Sequence, residues 1–219
     1  IVDVRTDGEY YDTASHFNQQ NIGRLKNILH ITLQDLQTSP DAFKKLEPYK
    51  DKEVYLICSH SYRSRIASKI LLSNGFQQVY NVQGGMTEWF RRSKELAQYK
   101  KDFYETSDVY RNISPAELSS ALELFHDPLL IGINNKPESF YDSLTIQYYR
   151  YFPGFKNALC FDYSDTLNIL GTIRQQQRPV VLYNMVNYGA AELAEWLVNK
   201  GITNVSYLVG NFNLFYEYL

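Results

Sequence analysis

The sequence predicts an α/β protein made of two similar domains, each with a central, mostly parallel sheet covered by helices on both faces. The first observation is a short apolar run at residues 54–57, typical of a strand buried on both faces. The second is the helical spacing of apolar residues that follows it, at 66, 67, 70 and 71. The third is an internal repeat, because the glycines at 75 and 84 recur at 201 and 210, with the same offset of 126 residues.

Length and composition limit the classes of function. The 219 residues suffice for one large domain or two ordinary ones, and 44% hydrophobic with 21% charged residues indicates a folded chain. A net charge of −2 predicts neither a nucleic-acid partner nor an anionic membrane surface. No apolar run reaches the roughly 18 residues of a membrane helix. Two cysteines do not make a disulfide framework, so we expect a reducing, cytoplasmic location.

In chain order, residues 1–10 predict a buried strand that enters a turn, and we expect the first domain to lack its N-terminal segment. Residues 34–49 predict a short helix with irregular flanks. The strand at 54–57 follows, then a helix from Arg63 that Asn74 and Gly75 end, because glycine accepts a left-handed conformation. A short strand at 79–82 leads to Gly84 and Gly85. We therefore expect a β-loop-α-β unit.

Cys58 stands where the strand at 54–57 ends, and ligands of open parallel sheets bind beyond that end of the strands. The loop 59–62 leads into the N-terminus of the next helix, where unpaired N–H groups and the positive dipole end favour an anion such as a thiolate. Arg63 and Arg65 add positive charge, which lowers a thiol pKa from its usual value of about 8.5. The alternative is a buried cysteine that only packs at a strand end.

The loop Cys58–Ser64 reads C-S-H-S-Y-R-S and resembles the active-site loop of the rhodanese family, commonly C-x-x-G-x-R-S, with Ser61 in place of glycine. Residues 84–89, G-G-M-T-E-W, resemble the family's G-G-x-x-x-W. D-V-R with Glu9 and Tyr10 resembles D-V-R-x-x-x-E-F/Y, in which Asp3, Arg5 and Glu9 are mostly structural. The resemblance implies two rhodanese-like three-layer domains.

The resemblance also implies a sulfurtransferase that carries sulfane sulfur as a persulfide on Cys58, from thiosulfate or a related donor to a thiol or cyanide. Arg63 would act with the loop N–H groups in stabilising that persulfide. The expected substrate-binding residues are Ser59, His60, Ser61, Tyr62 and Ser64. Small-molecule donors and thiol acceptors are the expected partners, with no cofactor. No metal is expected, because His16, His30 and His126 lack metal-ligand spacing.

The predicted boundaries are 1–101 for the first domain, 102–112 for a linker and 113–219 for the second domain. Ser114, Pro115 and Glu117 form a helix start that resembles the opening of a rhodanese domain. At the repeat offset, Asn184 takes the position of Cys58, and an amide is no nucleophile. The second domain is thus expected to keep the fold without the sulfur carrier, and Cys160 to pack as an apolar residue.

Two other functions remain open. A binding or regulatory module would have no reason to keep Cys58, Arg63 and Ser64 together in one copy. A phosphatase or arsenate reductase would use the same thiolate, but related phosphatases place one more residue between cysteine and arginine. The sulfurtransferase hypothesis requires the sulfur of Cys58 to be open to solvent and the loop amides to face it.

Overall fold

The computed structural model describes residues 1–14, 21–92, 96–123, 127–134, 155, 157–185 and 189–211. The chain divides into two compact units, Ile1–Ser107 (unit 1) and Asp108–Leu219 (unit 2). Each unit has its own parallel sheet with flanking helices, which confirms the predicted α/β class.

Unit 1 contains a four-stranded parallel sheet in the order β3-β1-β4-β5 and a separate antiparallel pair, β2-β6. Its elements in chain order are β1 (Val2–Asp3), α1 (Asp7–Tyr10), β2 (Arg24–Leu25), β3 (Leu29–His30), α2 (Leu33–Thr38), α3 (Pro40–Leu46), β4 (Glu53–Ile57), α4 (Tyr62–Ser73), β5 (Gln78–Asn81), α5 (Gly85–Arg92), α6 (Leu96–Phe103) and β6 (Tyr104–Glu105).

The central β-loop-α-β unit forms close to the predicted bounds. β4, α4 and β5 lie at 53–57, 62–73 and 78–81, and Gly75 has the expected left-handed conformation, with φ +84°. The segment 34–49 differs from the prediction of one helix, because the chain breaks at Ser39 and Pro40 into α2 and α3. A residue before proline is displaced from helical geometry, and Ser39 has φ −114° and ψ 116°.

One face of the unit 1 sheet packs against α2, α3 and α4. Val54, Leu56 and Cys58 point to this face, because alternate residues of a strand share one side. Ala67 and Leu71 of α4 cover them, and both are 0% exposed. The strand end that carries Cys58 is therefore part of the apolar core.

The turn after β1 is fixed by buried polar groups. Arg5 Nε donates to Asp3 Oδ2 at 2.9 Å, and Arg5 Nη2 donates to the Gly23 carbonyl at 2.8 Å. Both side chains are fully buried, in agreement with the structural role expected of them. This turn leads directly into α1, whose N-cap is Thr6.

Unit 2 contains a five-stranded parallel sheet in the order β7-β11-β10-β8-β9. Its elements are β7 (Arg111–Ile113), α7 (Pro115–Glu123), β8 (Leu129–Asn134), β9 (Leu159–Asp162), α8 (Thr166–Gln176), β10 (Val180–Asn184), α9 (Ala190–Asn199) and β11 (Val205–Asn211). Helices α8 and α9 connect its later strands.

Within the described part of the chain, no helix is both long and apolar enough to cross a bilayer. His16 and His126 lie outside the described residues.

Candidate active site

Cys58 directly follows β4, and the loop from Ser59 to Ser61 leads into α4. The hydroxyl of Ser64, in the first turn of α4, donates to the sulfur of Cys58 at 3.3 Å. This contact places the sulfur beside the N-terminus of α4, where the first N–H groups have no acceptor within the helix. Cys58 and Ser64 therefore lie together at the start of α4, where the sequence predicted that Cys58 would be.

Cys58 is not open to solvent, and the prediction of an exposed sulfur at the mouth of the sheet is wrong. The residue is 1% exposed and belongs to the core cluster that α4 covers. The cause is the alternation along β4, which turns Cys58 toward the same face as Val54 and Leu56. Access to the sulfur therefore requires the loop or the first turn of α4 to move.

Ser61 has a left-handed backbone, with φ +74° and ψ −17°. This explains why glycine suits the position, because a side chain costs about 1 kcal/mol or more there. The serine hydroxyl compensates by accepting a hydrogen bond from the Gly84 N–H and by donating to the Val82 carbonyl at 3.4 Å. Ser61 thus fastens the loop to the turn before α5.

The N-terminus of α5 holds the carbonyl groups of the loop. The Met86 N–H donates to the Cys58 carbonyl at 2.9 Å and the Thr87 N–H to the Ser59 carbonyl at 3.1 Å. Gly85 has φ +60°, and a Cβ atom there would collide with the Cys58 carbonyl. Since a trans peptide directs its C=O and N–H oppositely, the N–H groups that follow these carbonyls point away from α5. This orientation would allow the backbone N–H groups to converge on the other side of the loop.

Glu9 of α1 is the buried centre of the polar network behind the loop. Its carboxylate accepts from the Ser59 hydroxyl at 2.8 Å, from the Thr6 N–H at 3.1 Å and from both terminal nitrogens of Arg63. Burial alone would raise the pKa of Glu9, but the hydrogen bonds from Arg63, Thr6 and Ser59 and the Arg63 charge together lower it from 4.5 to about 2. Glu9 therefore stays ionised at neutral pH.

Arg63 pairs with Glu9 in a two-pronged geometry and also donates to the Ser59 hydroxyl at 3.0 Å. The hydrogen bond to Glu9 raises the pKa of Arg63, burial opposes this, and the charges of Glu9 and Cys58 add smaller increases. The guanidinium thus anchors the loop to α1 and also adds positive charge near the sulfur. Sequence reasoning assigned Glu9 a structural role and missed this pair, whose members lie 54 residues apart.

Of the predicted substrate-binding residues, His60 and Tyr62 lie on the outer side of the loop, where His60 is exposed and Tyr62 is 74% exposed. Ser59 and Ser64 are buried. The structure thus brings Cys58 and Ser64 into contact and leaves His60 and Tyr62 facing solvent. The described residues contain no group of three or more His, Cys, Asp or Glu side chains suited to a metal ion.

The equivalent place in unit 2 is filled by its own amide side chain. Asn184 ends β10 and is 0% exposed. Its Oδ1 accepts from the Ala190 N–H at 3.0 Å, at the start of α9, and its Nδ2 donates to the Tyr207 hydroxyl at 3.1 Å. The amide oxygen therefore occupies the helix-start position that an anion would take. Cys160, expected to pack as an apolar residue, is instead exposed on β9.

Comparison with known proteins agrees with this geometry in unit 1. Residues 1–92 match the family model described as "Rhodanese-like domain". The chain is 30% identical over 90 residues to the tRNA uridine(34) hydroxylase of Cronobacter sakazakii, covering 41% of this chain and 26% of that protein. It is 32% identical over 85 residues to the enzyme of the same name from Cytophaga hutchinsonii, covering 39% and 27%.

Among solved structures, a rhodanese-related protein from Thermoplasma volcanium is 28% identical, with a TM-score of 0.31 and coverage of 40% of this chain and 72% of that one. The chain spans about a quarter of the length of the curated relatives named above. All of these matches cover less than half of this chain. The strand-end cysteine, the loop and the family match lead to one conclusion: residues 1–92 form a rhodanese-like domain.

Proposed function

We propose that unit 1 is a sulfurtransferase that carries sulfane sulfur on Cys58. The Cys58 thiolate attacks the outer sulfur of thiosulfate, a new S–S bond forms, and sulfite leaves with the electron pair of the old one. Cyanide or a thiolate then attacks the outer sulfur of the persulfide. The Cys58 sulfur leaves as a thiolate, and thiocyanate or a new persulfide is released.

The observation that carries the proposal is the hydrogen bond from Ser64 to the Cys58 sulfur at the start of α4. The helix start supplies further N–H donors, and Arg63 supplies positive charge. These groups would stabilise the negative sulfur at each of the two displacement steps.

The open sulfur that the sulfurtransferase hypothesis requires is absent from this structure, so the mechanism needs a conformational opening. A donor reaches the sulfur only after the loop from Ser59 to Ser61 or the first turn of α4 has moved, because Cys58 is 1% exposed. Opening the loop breaks the bonds from Ser61 to Gly84 and Val82, while the Glu9–Arg63 pair can remain in place. We expect loop opening to limit the rate at which Cys58 reacts.

The same burial favours a second candidate, a non-catalytic binding module in which Cys58 only packs in the core. This candidate predicts no persulfide under any donor concentration. The relatives named above are tRNA uridine(34) hydroxylases, but the match spans only about a quarter of those proteins. A net charge of −2 gives no electrostatic signature of a tRNA partner.

The test is the intact mass of the protein after incubation with thiosulfate. We expect one added sulfur atom in the wild type and in the Cys160→Ser variant, and none in Cys58→Ser. No adduct in the wild type would support the binding module, and an adduct that survives in Cys58→Ser would refute the role of Cys58 as the sulfur carrier. Release of phosphate from an aryl phosphate would indicate a phosphatase instead.

A further inference from the structure

Helix α4, which begins beside the Cys58 sulfur, has an exposed face that carries two cations. Tyr62, Arg65 and Lys69 follow one another at spacings of three and four residues, so they lie on one side of the helix. All three side chains are exposed. Ser64, in the same turn as Tyr62 and Arg65, donates to the sulfur of Cys58. This basic face (Tyr62, Arg65 and Lys69) therefore begins at the candidate active site.

The positive charges of α4 destabilise the helix that carries them. Its first turn contains Arg63 and Arg65 and no acidic residue, although the positive end of the helix dipole favours negative side chains there. Glu9 offsets the charge of Arg63. Arg65 and Lys69 are four residues apart and repel each other, and neither forms an ion pair within the described part of the chain. Charges that oppose local helix stability in this way are typical of functional surfaces.

Unit 2 provides an internal comparison, because α9 corresponds to α4 in the repeat. Both helices end at the same offset of 126 residues, and each is followed by a glycine with positive φ, +84° in unit 1 and +87° in unit 2. At this offset Arg65 corresponds to Ala191, and the exposed Lys69 corresponds to Glu195, which is also exposed. α9 contains two glutamates and no lysine or arginine. The basic face is thus present in the unit with the cysteine and absent from α9 of the unit without it.

The dimensions of the basic face favour an acidic peptide over a small anion. Tyr62 and Lys69 are about 10 Å apart along the helix axis, which exceeds the size of one thiosulfate ion. The Cβ atoms of Arg65 and Lys69 are about 6 Å apart. In an extended peptide, side chains two residues apart point the same way and are about 7 Å apart, so two alternating acidic residues match the two cations. A nucleic acid would extend beyond them, over a chain with a net charge of −2.

We propose that the basic face of α4 binds an acidic segment of a protein whose cysteine accepts the sulfur carried by Cys58. This proposal rests on the function proposed above for Cys58. The acceptor thiolate attacks the outer sulfur of the Cys58 persulfide, and the new S–S bond makes a persulfide on the acceptor. The old S–S bond breaks, and Cys58 leaves as a thiolate. Arg65 and Lys69 pair with the acidic residues that flank the acceptor cysteine, which holds its thiol beside the first turn of α4.

The test compares two synthetic acceptor peptides, Cys-Gly-Glu-Gly-Glu and Cys-Gly-Gln-Gly-Gln, with the full chain as catalyst and thiosulfate as donor. Mass spectrometry measures the persulfide formed on each peptide, and thiocyanate formation from cyanide is measured in parallel. We expect kcat/KM for the acidic peptide to be about fivefold higher at low salt, because two exposed ion pairs form. In about 1 M salt, where the Debye length is about 3 Å, the two values should become similar.

On the protein, Lys69→Glu gives α4 the residue that α9 has at this position. It should remove the preference for the acidic peptide, because an attraction becomes a repulsion, and should leave turnover with cyanide unchanged. Lys45→Glu is the matched control, since it makes the same change of charge at an exposed lysine in the last turn of α3. The control should keep the preference of about fivefold.

Equal kcat/KM values for the two peptides at low salt, or a preference that survives Lys69→Glu, would overturn the proposal. If cyanide is still converted to thiocyanate, the function proposed for Cys58 stands without it. Loss of turnover with every acceptor would overturn both. Stronger inhibition by a single-stranded oligonucleotide than by the thiol-free peptide Ser-Gly-Glu-Gly-Glu would also overturn the proposal, because the basic face would then bind a nucleic acid.

Discussion

Replacing Glu9 by glutamine tests the polar network that holds the loop from Ser59 to Ser61. The variant keeps the shape of the side chain and removes the negative charge that accepts hydrogen bonds from Arg63, Ser59 and Thr6. The lowering of the Glu9 pKa from 4.5 to about 2 corresponds to about 3 kcal/mol of folding free energy. Because Arg63 is 26% exposed and water replaces part of the lost contact, we expect Glu9→Gln to destabilise unit 1 by about 2–3 kcal/mol at pH 7.

The pH dependence gives this prediction a signature. A carboxyl group whose pKa is lowered by folding stabilises the folded state above its unfolded pKa, and this stabilisation is lost as the pH falls from about 5 to about 2. Glutamine does not titrate. The difference in unfolding free energy between wild type and Glu9→Gln should therefore be smaller by about 1 kcal/mol at pH 3.5 than at pH 7.

The assay is urea unfolding followed by tryptophan fluorescence in a Trp196→Phe background, where Trp89 of unit 1 is the one remaining tryptophan of the sequence. Asp41→Asn serves as the control, because Asp41 pairs with Lys44 on the surface and both side chains are more than 70% exposed. It should change stability by less than about 1 kcal/mol. A pH-independent effect of Glu9→Gln, or one as small as that of the control, would refute the role given to Glu9.

Three further substitutions test other contacts by urea unfolding. Ser61→Ala should lower the free energy of unfolding by about 1–2 kcal/mol, because it removes the hydrogen bonds of the hydroxyl to Gly84 and Val82. Ser61→Gly should lower it less, because glycine also relieves the strain of the positive φ. Equal losses in the two variants would contradict a strained left-handed backbone at Ser61. Gly85→Ala should lower the free energy of unfolding by about 2 kcal/mol or more, because its Cβ would collide with the backbone of Cys58 and Ser59. The control Gly75→Ala should lower it by about 1 kcal/mol, because its Cβ would meet only the flexible end of Lys50. The reverse order would disprove the close packing of α5 on the loop. Asn184→Leu should destabilise unit 2 by about 2–4 kcal/mol, because it removes a buried hydrogen-bond partner of the Ala190 N–H and the Tyr207 hydroxyl. The change is measured through the fluorescence of Trp196 in a Trp89→Phe background. A neutral result would argue against the position of the amide at the start of α9.

Local sequence patterns were sufficient to predict the β-loop-α-β unit. The apolar run at 54–57 and the helical spacing after Arg63 extend over whole elements, so each gives a strong periodic signal. The glycine at 75 marked the end of α4 because its conformation is local. The two-residue strands β2 and β6 are too short to show any period, and β6 lies inside the segment predicted as linker.

The parts of the site that sequence reasoning missed depend on contacts between distant residues. Glu9 meets Arg63 only because β1 and β4 are neighbours in the sheet, and nothing within either segment specifies that pairing. The burial of Cys58 did have a local signal, since residues 54, 56 and 58 must share one face of the strand. That alternation was hidden because the run from 54 to 57 before Cys58 is almost wholly apolar.

Whether Cys58, although covered, carries sulfur as proposed is tested by thiocyanate formation from thiosulfate and cyanide by the wild type, Cys58→Ser and Cys160→Ser. We expect turnover in the wild type and in Cys160→Ser and none in Cys58→Ser. Absence of turnover in the folded wild type, or turnover that persists without Cys58, would contradict it.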